Sequence, residues 1–196
     1  MDISIKLTFI FILLISKPIS AEDIVIPDHV NDIPFLEIEE GYLILDLDID
    51  SPVSEITLRR KIEKYSYYGY KKAIVRIVNI NQGANLTIIK LSAGTYRWED
   101  IKVPFYNLPY VHDLSKKNLW QFKIFPNRLN YVSKITVKEK RSTTSVDITR
   151  LNRIAESLPN INQQFKNLLK KYPLIYSGFE PDDFLALLNT KKNSHE

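Results

Sequence analysis

The chain has 196 residues, of which 27 are basic and 23 acidic, and its sequence contains no cysteine. This length is that of one domain, or of one domain with an appendage, and a hydrophobic content of 44% with 26% charged residues is ordinary for a protein that buries a core. The lack of cysteine excludes disulfides, cysteine-ligated zinc, iron–sulfur clusters and cysteine nucleophiles.

Residues 1–21 have the pattern of a secretory signal peptide. Lys6 precedes the uncharged apolar run LTFIFILLI, and the small residue Ala21 follows shortly afterwards. The run is shorter than the roughly 20 apolar residues that span a bilayer. We therefore predict cleavage after Ala21 and an exported chain, periplasmic or extracellular, that starts at Glu22 and has no transmembrane anchor. An uncleaved anchor or a buried first strand is the alternative.

The net charge of +4 is mild, and the basic residues are dispersed along the chain. Nucleic-acid binding needs clustered Lys and Arg that neutralise several phosphates. We therefore expect no nucleic-acid partner.

The first part of the exported chain alternates apolar and polar residues in short segments. In residues 41–50, GYLILDLDID, leucines recur at every second position, a period typical of a half-buried strand. Similar segments follow at 54–61, 71–80, 86–91, 95–103, 119–125 and 131–137, separated by turn residues. Seven such strands are typical of an antiparallel sandwich or barrel. We predict a mainly β fold, an antiparallel β-sandwich over residues 22–146.

After about residue 146 the hydrophobic period changes. Apolar residues recur at helical spacing over 148–172 and again over 184–188. Pro159 and Pro173 separate or end these segments. We predict a C-terminal α-helical appendage, residues 147–196, that packs on the sandwich.

Two short motifs lie at strand corners. Residues 91–98, LSAGTYRW, have the order leucine, any residue, small residue, Gly, any residue, Tyr, and residues 122–132, FKIFPNRLNYV, join a phenylalanine-bearing strand to a proline turn and Asn-Tyr. In these features, over residues 41–138, the chain resembles a group of exported bacterial β-sandwich proteins, a domain of unknown function with transthyretin-like or carboxypeptidase-regulatory-like topology. The family has Gly where this chain has Asn127 and Ser133. The resemblance implies architecture and export, and no activity.

The aromatic residues of these corners have a physical role of their own. Gly permits the tight turn, and a following Tyr closes the end of the core. We therefore expect Tyr96, Trp98 and Tyr131 to be core residues rather than ligand-stacking ones.

The sequence lacks the signatures of common enzyme classes. It has no Gly-x-Ser-x-Gly, no Ser-x-x-Lys and no His-Glu-x-x-His. The three histidines are His29, His112 and His195, and His112 precedes Asp113 in a stretch that we interpret as a loop over 107–117. We therefore predict no catalytic residue.

Asp46, Asp48 and Asp50 alternate on one face of the first strand. Carboxylates are the hard oxygen ligands that calcium prefers, so a calcium site is one interpretation. An EF-hand is excluded, because its sixth position would be Ser51 and its twelfth Thr57. The other interpretation is a solvated acidic face that protects a sheet edge, with its repulsion relieved by arginines of neighbouring strands.

A tyrosine run offers the candidate ligand-binding residues. Tyr65, Tyr67, Tyr68 and Tyr70 lie between lysines, and aromatic faces beside cations suit sugars or an anionic surface. The alternative is a loop whose tyrosines cover the end of the sandwich.

These patterns predict an exported, non-catalytic envelope or extracellular binding or structural module, with a protein or a glycan as partner and no cofactor unless calcium. The alternative is a carboxylate-dependent hydrolase, with or without calcium, that uses two acids held in a cleft. Candidate acids are Glu37, Glu39, Asp46 and Glu99, and no feature of the sequence selects a pair.

Overall fold

The computed structural model describes residues 22–26, 34–50, 52–61, 73–105, 108–114, 118–140 and 145–193. Three groups of residues named above lie outside this part of the chain: the signal peptide at 1–21, the tyrosine run at 65–70, and His29 with His195. What we infer about them stays a prediction.

The described residues form eleven strands and three short α-helices. The strands are β1 (Glu22–Val25), β2 (Glu40–Ile49), β3 (Glu55–Arg60), β4 (Ala73–Val78), β5 (Gly83–Ser92), β6 (Gly94–Phe105), β7 (Leu108–Asp113), β8 (Gln121–Ile124), β9 (Leu129–Lys140), β10 (Ser145–Leu151) and β11 (Leu174–Tyr176). The helices are α1 (Ile154–Gln164), α2 (Lys166–Leu169) and α3 (Phe184–Asn193). No helix in the described ranges is both long and apolar enough to cross a bilayer.

The strands form two sheets. One has the order β1–β4–β3–β6–β7, with β8 also paired to β6, and the other has the order β10–β9–β2–β5, with β11 also paired to β9. The prediction of a mainly β fold is therefore confirmed. The predicted antiparallel pairing is found in most of the described strand pairs but not in all, because β1 runs parallel to β4, and both β2 and β11 run parallel to β9.

Hydrophobic alternation could not have shown the parallel pairs. A period of two reports which face of a strand is buried, and that period is the same for both strand directions. Parallel neighbours need a long crossover connection, and β2 is joined to β9 through six intervening strands of the described chain.

Both sheets contribute to one buried core. Alternate residues of β2, including Leu43, Leu45 and Leu47, pack in one cluster with β6 residues such as Trp98 and Ile101. Sheets that share a core in this way form two layers about 10 Å apart. This arrangement agrees with the predicted sandwich.

The helices cover the opposite face of the second sheet. Tyr42, Ile44 and Tyr131 of that face are buried together with Ile154 and Phe165. The apolar stripe of the C-terminal segment therefore packs against the sheet, and the ring of Tyr42 meets that of Tyr172 edge-on at 5.3 Å.

Three boundaries differ from the predicted ones. Ile148 and Leu151 belong to β10, so the first helix starts later, at Ile154. Pro159 lies inside α1, on its exposed side, rather than at a helix end. The stretch 107–117, predicted as a loop, contains β7, whose backbone pairs with β6. For β10 and β7, pairing with a neighbouring strand outweighs the local pattern.

The corner at residues 126–130 carries the chain from one sheet to the other. β8 pairs in the first sheet and β9 in the second, so the segment is a sharp corner and not a hairpin. Asn127 has a φ of 53°, the left-handed conformation that Asn tolerates. The buried Asn130 side chain accepts from the Phe125 N–H at 2.9 Å and donates to the Tyr42 carbonyl at 3.0 Å, which joins the two sheets.

The corner between β5 and β6 also joins the two sheets. Gly94 has a φ of 149°, and a Cβ there would lie 2.8 Å from the Nε of Arg60. The Tyr96 hydroxyl donates to the Ser92 carbonyl at 2.8 Å. Tyr96, Trp98 and Tyr131 are all buried, which confirms their predicted place in the core.

Candidate binding cleft

One face of α1 is polar and forms the wall of a cleft. This face consists of residues that recur at helical spacing: Glu156, Ser157, Asn160, Gln163 and Gln164. Residues three, four and seven apart share one face of a helix, so these side chains form a continuous stripe. The stripe lies beside the apolar residues, such as Ile161, that hold the helix on the sheet.

The opposite wall comes from the strands. Residues 84–87 of β5 line the cleft together with Asn79 and Asn81, and Asp46 of β2 lies between the walls. The cleft has a volume of about 850 Å³ and is open to solvent. Its lining holds more hydrogen-bonding groups than apolar ones, so it favours a polar ligand.

Asp46 is buried and links α1 to the second sheet. Its Oδ2 accepts hydrogen bonds from the Tyr131 hydroxyl at 3.0 Å and from the Ser157 hydroxyl at 2.5 Å. Burial raises the pKa of the Tyr131 hydroxyl, and the charge of Asp46 acts in the same direction. The Tyr131 hydroxyl is thus a protonated donor at neutral pH. The carboxylate joins β2, β9 and α1 in one network.

Lys134 brings a positive charge to the same place. It pairs with Asp46 in the β2–β9 register, and its Nζ lies 3.8 Å from the Glu156 carboxylate. Lys134 also lines a second, smaller cavity of about 410 Å³, with Asp48 and Lys138. The cleft therefore carries charges of both signs rather than a field of one sign.

The structure does not bring the three predicted calcium ligands together. Asp46 is occupied by two hydroxyls, Asp48 lines the smaller cavity, and Asp50 is exposed just beyond the end of β2. In the described ranges no group of three Asp, Glu, His or Cys side chains is arranged to hold a metal ion. Calcium binding stays a prediction.

The alternative interpretation of this acidic face, protection of a sheet edge, is wrong. β2 lies between β9 and β5 and is therefore an inner strand of its sheet. The repulsion between carboxylates is relieved instead by hydroxyl donors and by the lysines of β9.

Glu99, another candidate acid, forms ion pairs with two arginines. Its carboxylate lies 2.8 Å from Arg59 and 2.8 Å from Arg97. Burial by itself would raise the pKa of Glu99, but hydrogen bonds and charge from the two arginines outweigh it and hold that pKa below its usual value. Glu99 belongs to the first sheet and Asp46 to the second, so these two acids do not form a pair in the cleft.

The sequence analysis missed the polar stripe of α1. Its signal was present, since Ser157, Asn160 and Gln164 recur at helical spacing beside the apolar residues. A polar stripe is also what any exposed helix face shows. Only the packing of α1 against the second sheet shows that these side chains face β5 and Asp46.

The described residues form a mainly β fold with two mixed sheets. Helices cover one face of the second sheet, and a polar cleft lies beside α1. No family model matches the chain, and a search of curated proteins finds no match.

Proposed function

We propose that the protein is an exported, non-catalytic envelope binding module with a β-sandwich core, and that its ligand binds in the cleft between α1 and β5. The observation that carries this proposal is the lining of the cleft, which includes the amide residues Asn81, Asn85, Asn160 and Gln163 together with Asp46. An amide group both donates and accepts hydrogen bonds. Such a lining suits a ligand rich in neutral polar groups.

The network below the cleft supports binding rather than catalysis. Ser157, which lines the cleft, is buried and donates to the carboxylate of Asp46. A nucleophilic serine needs a positioned base that takes its proton. The described lining contains no histidine, and the carboxylate of Asp46 already accepts a second hydrogen bond.

Export rests on the signal-peptide pattern of residues 1–21, and the proposed sandwich rests on the two sheets that share one hydrophobic cluster, together with the family resemblance. The tyrosine run at 65–70 is proposed as a second contact for the same partner. Substitution of Tyr67 and Tyr68 by Ser tests this separately, since the variant should fold and bind less tightly.

The test of the cleft uses two substitutions on one helix. Asn160→Ala with Gln163→Ala removes two amides that line the cleft, whereas Asn162→Ala removes an exposed amide of α1 outside the described lining. The purified protein is screened by calorimetry against soluble oligosaccharides and synthetic peptides. We expect the double variant to bind a ligand about thirtyfold more weakly, at about 1 kcal/mol for each of the two lost hydrogen bonds. Equal weakening in the Asn162→Ala control would contradict the proposed site.

A further inference from the structure

Strand β5 is the outermost strand of the second sheet, and part of it lines the cleft. Among the described elements its only strand partner is β2. Residues 84–87 of β5 are exposed or half-buried. A strand at the edge of a sheet presents unpaired backbone N–H and C=O groups on its outer side.

The hydrogen bonds of the neighbouring strand β2 show which residues of β5 have their backbone N–H and C=O groups on the outer side. Backbone groups of alternate residues point to opposite sides of a strand. The N–H of Tyr42 donates to the Arg128 carbonyl just before β9, and the N–H of Asp50 donates to Val137 of β9. Even-numbered residues of β2 therefore direct their backbone groups to β9, and odd-numbered ones direct theirs to β5.

The register transfers this alternation to β5. Leu45 of β2 pairs with Thr87, and Leu47 pairs with Asn85, so the odd-numbered residues of β5 bond to β2. Ala84 and Leu86 then direct their N–H and C=O away from the sheet, on the edge that lines the cleft.

One side chain already uses this edge. The Nε2 of Gln164 donates to the Leu86 carbonyl at 2.7 Å. An amide N–H from α1 therefore occupies the place that the N–H of an added β-strand would take. This bond independently shows that the Leu86 carbonyl points outward, as the register requires.

We propose that the ligand of the cleft is an extended segment of a partner polypeptide, which adds to the second sheet as a strand beside Ala84 and Leu86. This inference rests on the proposed function, and it names the ligand class. The segment would gain backbone hydrogen bonds from β5 on one side, and the amides of Asn160 and Gln163 face its other side across the cleft.

The lining favours a peptide over a glycan. Of the described residues that line the cleft, none is aromatic. In the described lining, a sugar ring therefore finds no aromatic face on which its apolar side could stack. A peptide in strand conformation needs only the backbone groups and the short polar side chains that the cleft supplies.

Amide hydrogen exchange of the purified protein tests the inference residue by residue. The probe is a synthetic peptide selected from a random twelve-residue display library, and an oligosaccharide panel is run in parallel. We expect saturating peptide to slow exchange at Ala84 and Leu86 about tenfold or more, because these N–H groups gain a partner. Exchange at Asn85 and Thr87, already bonded to β2, should not change.

A matched pair of variants gives a second measurement. Ala84→Pro removes one outward N–H at an exposed edge position, where proline is tolerated, and Ala84→Ser keeps it. We expect the proline variant to bind the peptide about tenfold more weakly than the serine variant. The exchange measurement on the unsubstituted protein decides the matter even if Ala84→Pro does not fold.

The outcomes separate the inference from the proposed function. A ligand that perturbs Asn160 but leaves exchange at Ala84 and Leu86 unchanged, or an oligosaccharide that binds where peptides do not, overturns strand addition and leaves the cleft as the site. Protection of Ala84 that rises with protein concentration alone assigns the edge to a second copy and also overturns it. If neither class of probe perturbs Asn160, both proposals fail.

Discussion

The hydrogen bond between Tyr131 and Asp46 should contribute measurably to stability, and Tyr131→Phe removes it without changing the packing. The Tyr131 ring is fully buried against the helices, and phenylalanine fills the same space. The lost bond is one to a buried carboxylate, which is worth about 1.5–3 kcal/mol. At about 2–4 °C for each kcal/mol in a protein of this size, the melting temperature should fall by about 3–12 °C.

The control is Tyr42→Phe on the same sheet face. The Tyr42 ring is equally buried, but its hydroxyl donates at 2.8 Å to the neutral backbone carbonyl of Pro34, so its loss should cost about 0.5–1.5 kcal/mol. Urea denaturation at 25 °C measures both variants, and an unchanged slope shows that the folded state is intact. If Tyr131→Phe costs no more than Tyr42→Phe, Asp46 does not act as a charged acceptor and the network has no special role.

Three further predictions concern residues outside the cleft wall. Because the pKa of Glu99 is lowered in the folded state, Glu99 stabilises the fold at a pH above its unfolded pKa near 4.5. This stabilisation is lost as the pH falls through the folded pKa. Glu99→Gln should therefore make the free energy of unfolding depend less steeply on pH in the acid range. Asn130→Ala should lower the free energy of unfolding by about 3–5 kcal/mol, because the Phe125 N–H and the Tyr42 carbonyl lose their hydrogen-bond partner. A loss under about 1 kcal/mol in denaturant unfolding would contradict the proposed role of Asn130 in joining the two sheets. Calorimetry with calcium should show no saturable uptake, and a heat that disappears in Asp48→Asn would restore the calcium hypothesis.

Most strands were predictable from their hydrophobic alternation, although β2, expected to be half-buried, is buried on both faces because the helices cover Tyr42 and Ile44. In β2 the leucines at 43, 45 and 47 face the shared core, and this alternation predicted the strand. The corner residues were also predictable, since Gly94 and Asn127 are residue types that tolerate positive φ. Strand direction was not predictable, because the side-chain period is the same in both directions.

The cleft could not be predicted from the sequence, for a different reason. Its walls come from residues 84–87 and 156–164, and no local pattern shows that these stretches meet. The sequence indicated that Asp46 is unusual, but it predicted a solvated or metal-bound carboxylate rather than a buried one that accepts two hydroxyl hydrogen bonds. Its partners Tyr131 and Ser157 lie 85 and 111 residues away along the chain. Pairings of such long range depend on the packing of the helices on the second sheet.

The position of the cleft follows from a change of polarity along one strand face. Tyr42 and Ile44 of β2 are covered by the helices, whereas Asp48, further along the same face, stays half-exposed. Asp46 lies at the boundary, where burying a carboxylate costs desolvation that only hydrogen-bond donors offset. Ser157 supplies one of these donors from α1, so the network that satisfies Asp46 also links α1 to the sheet, beside the apolar contacts of Ile161. The cleft begins where the apolar cover ends, next to this buried carboxylate.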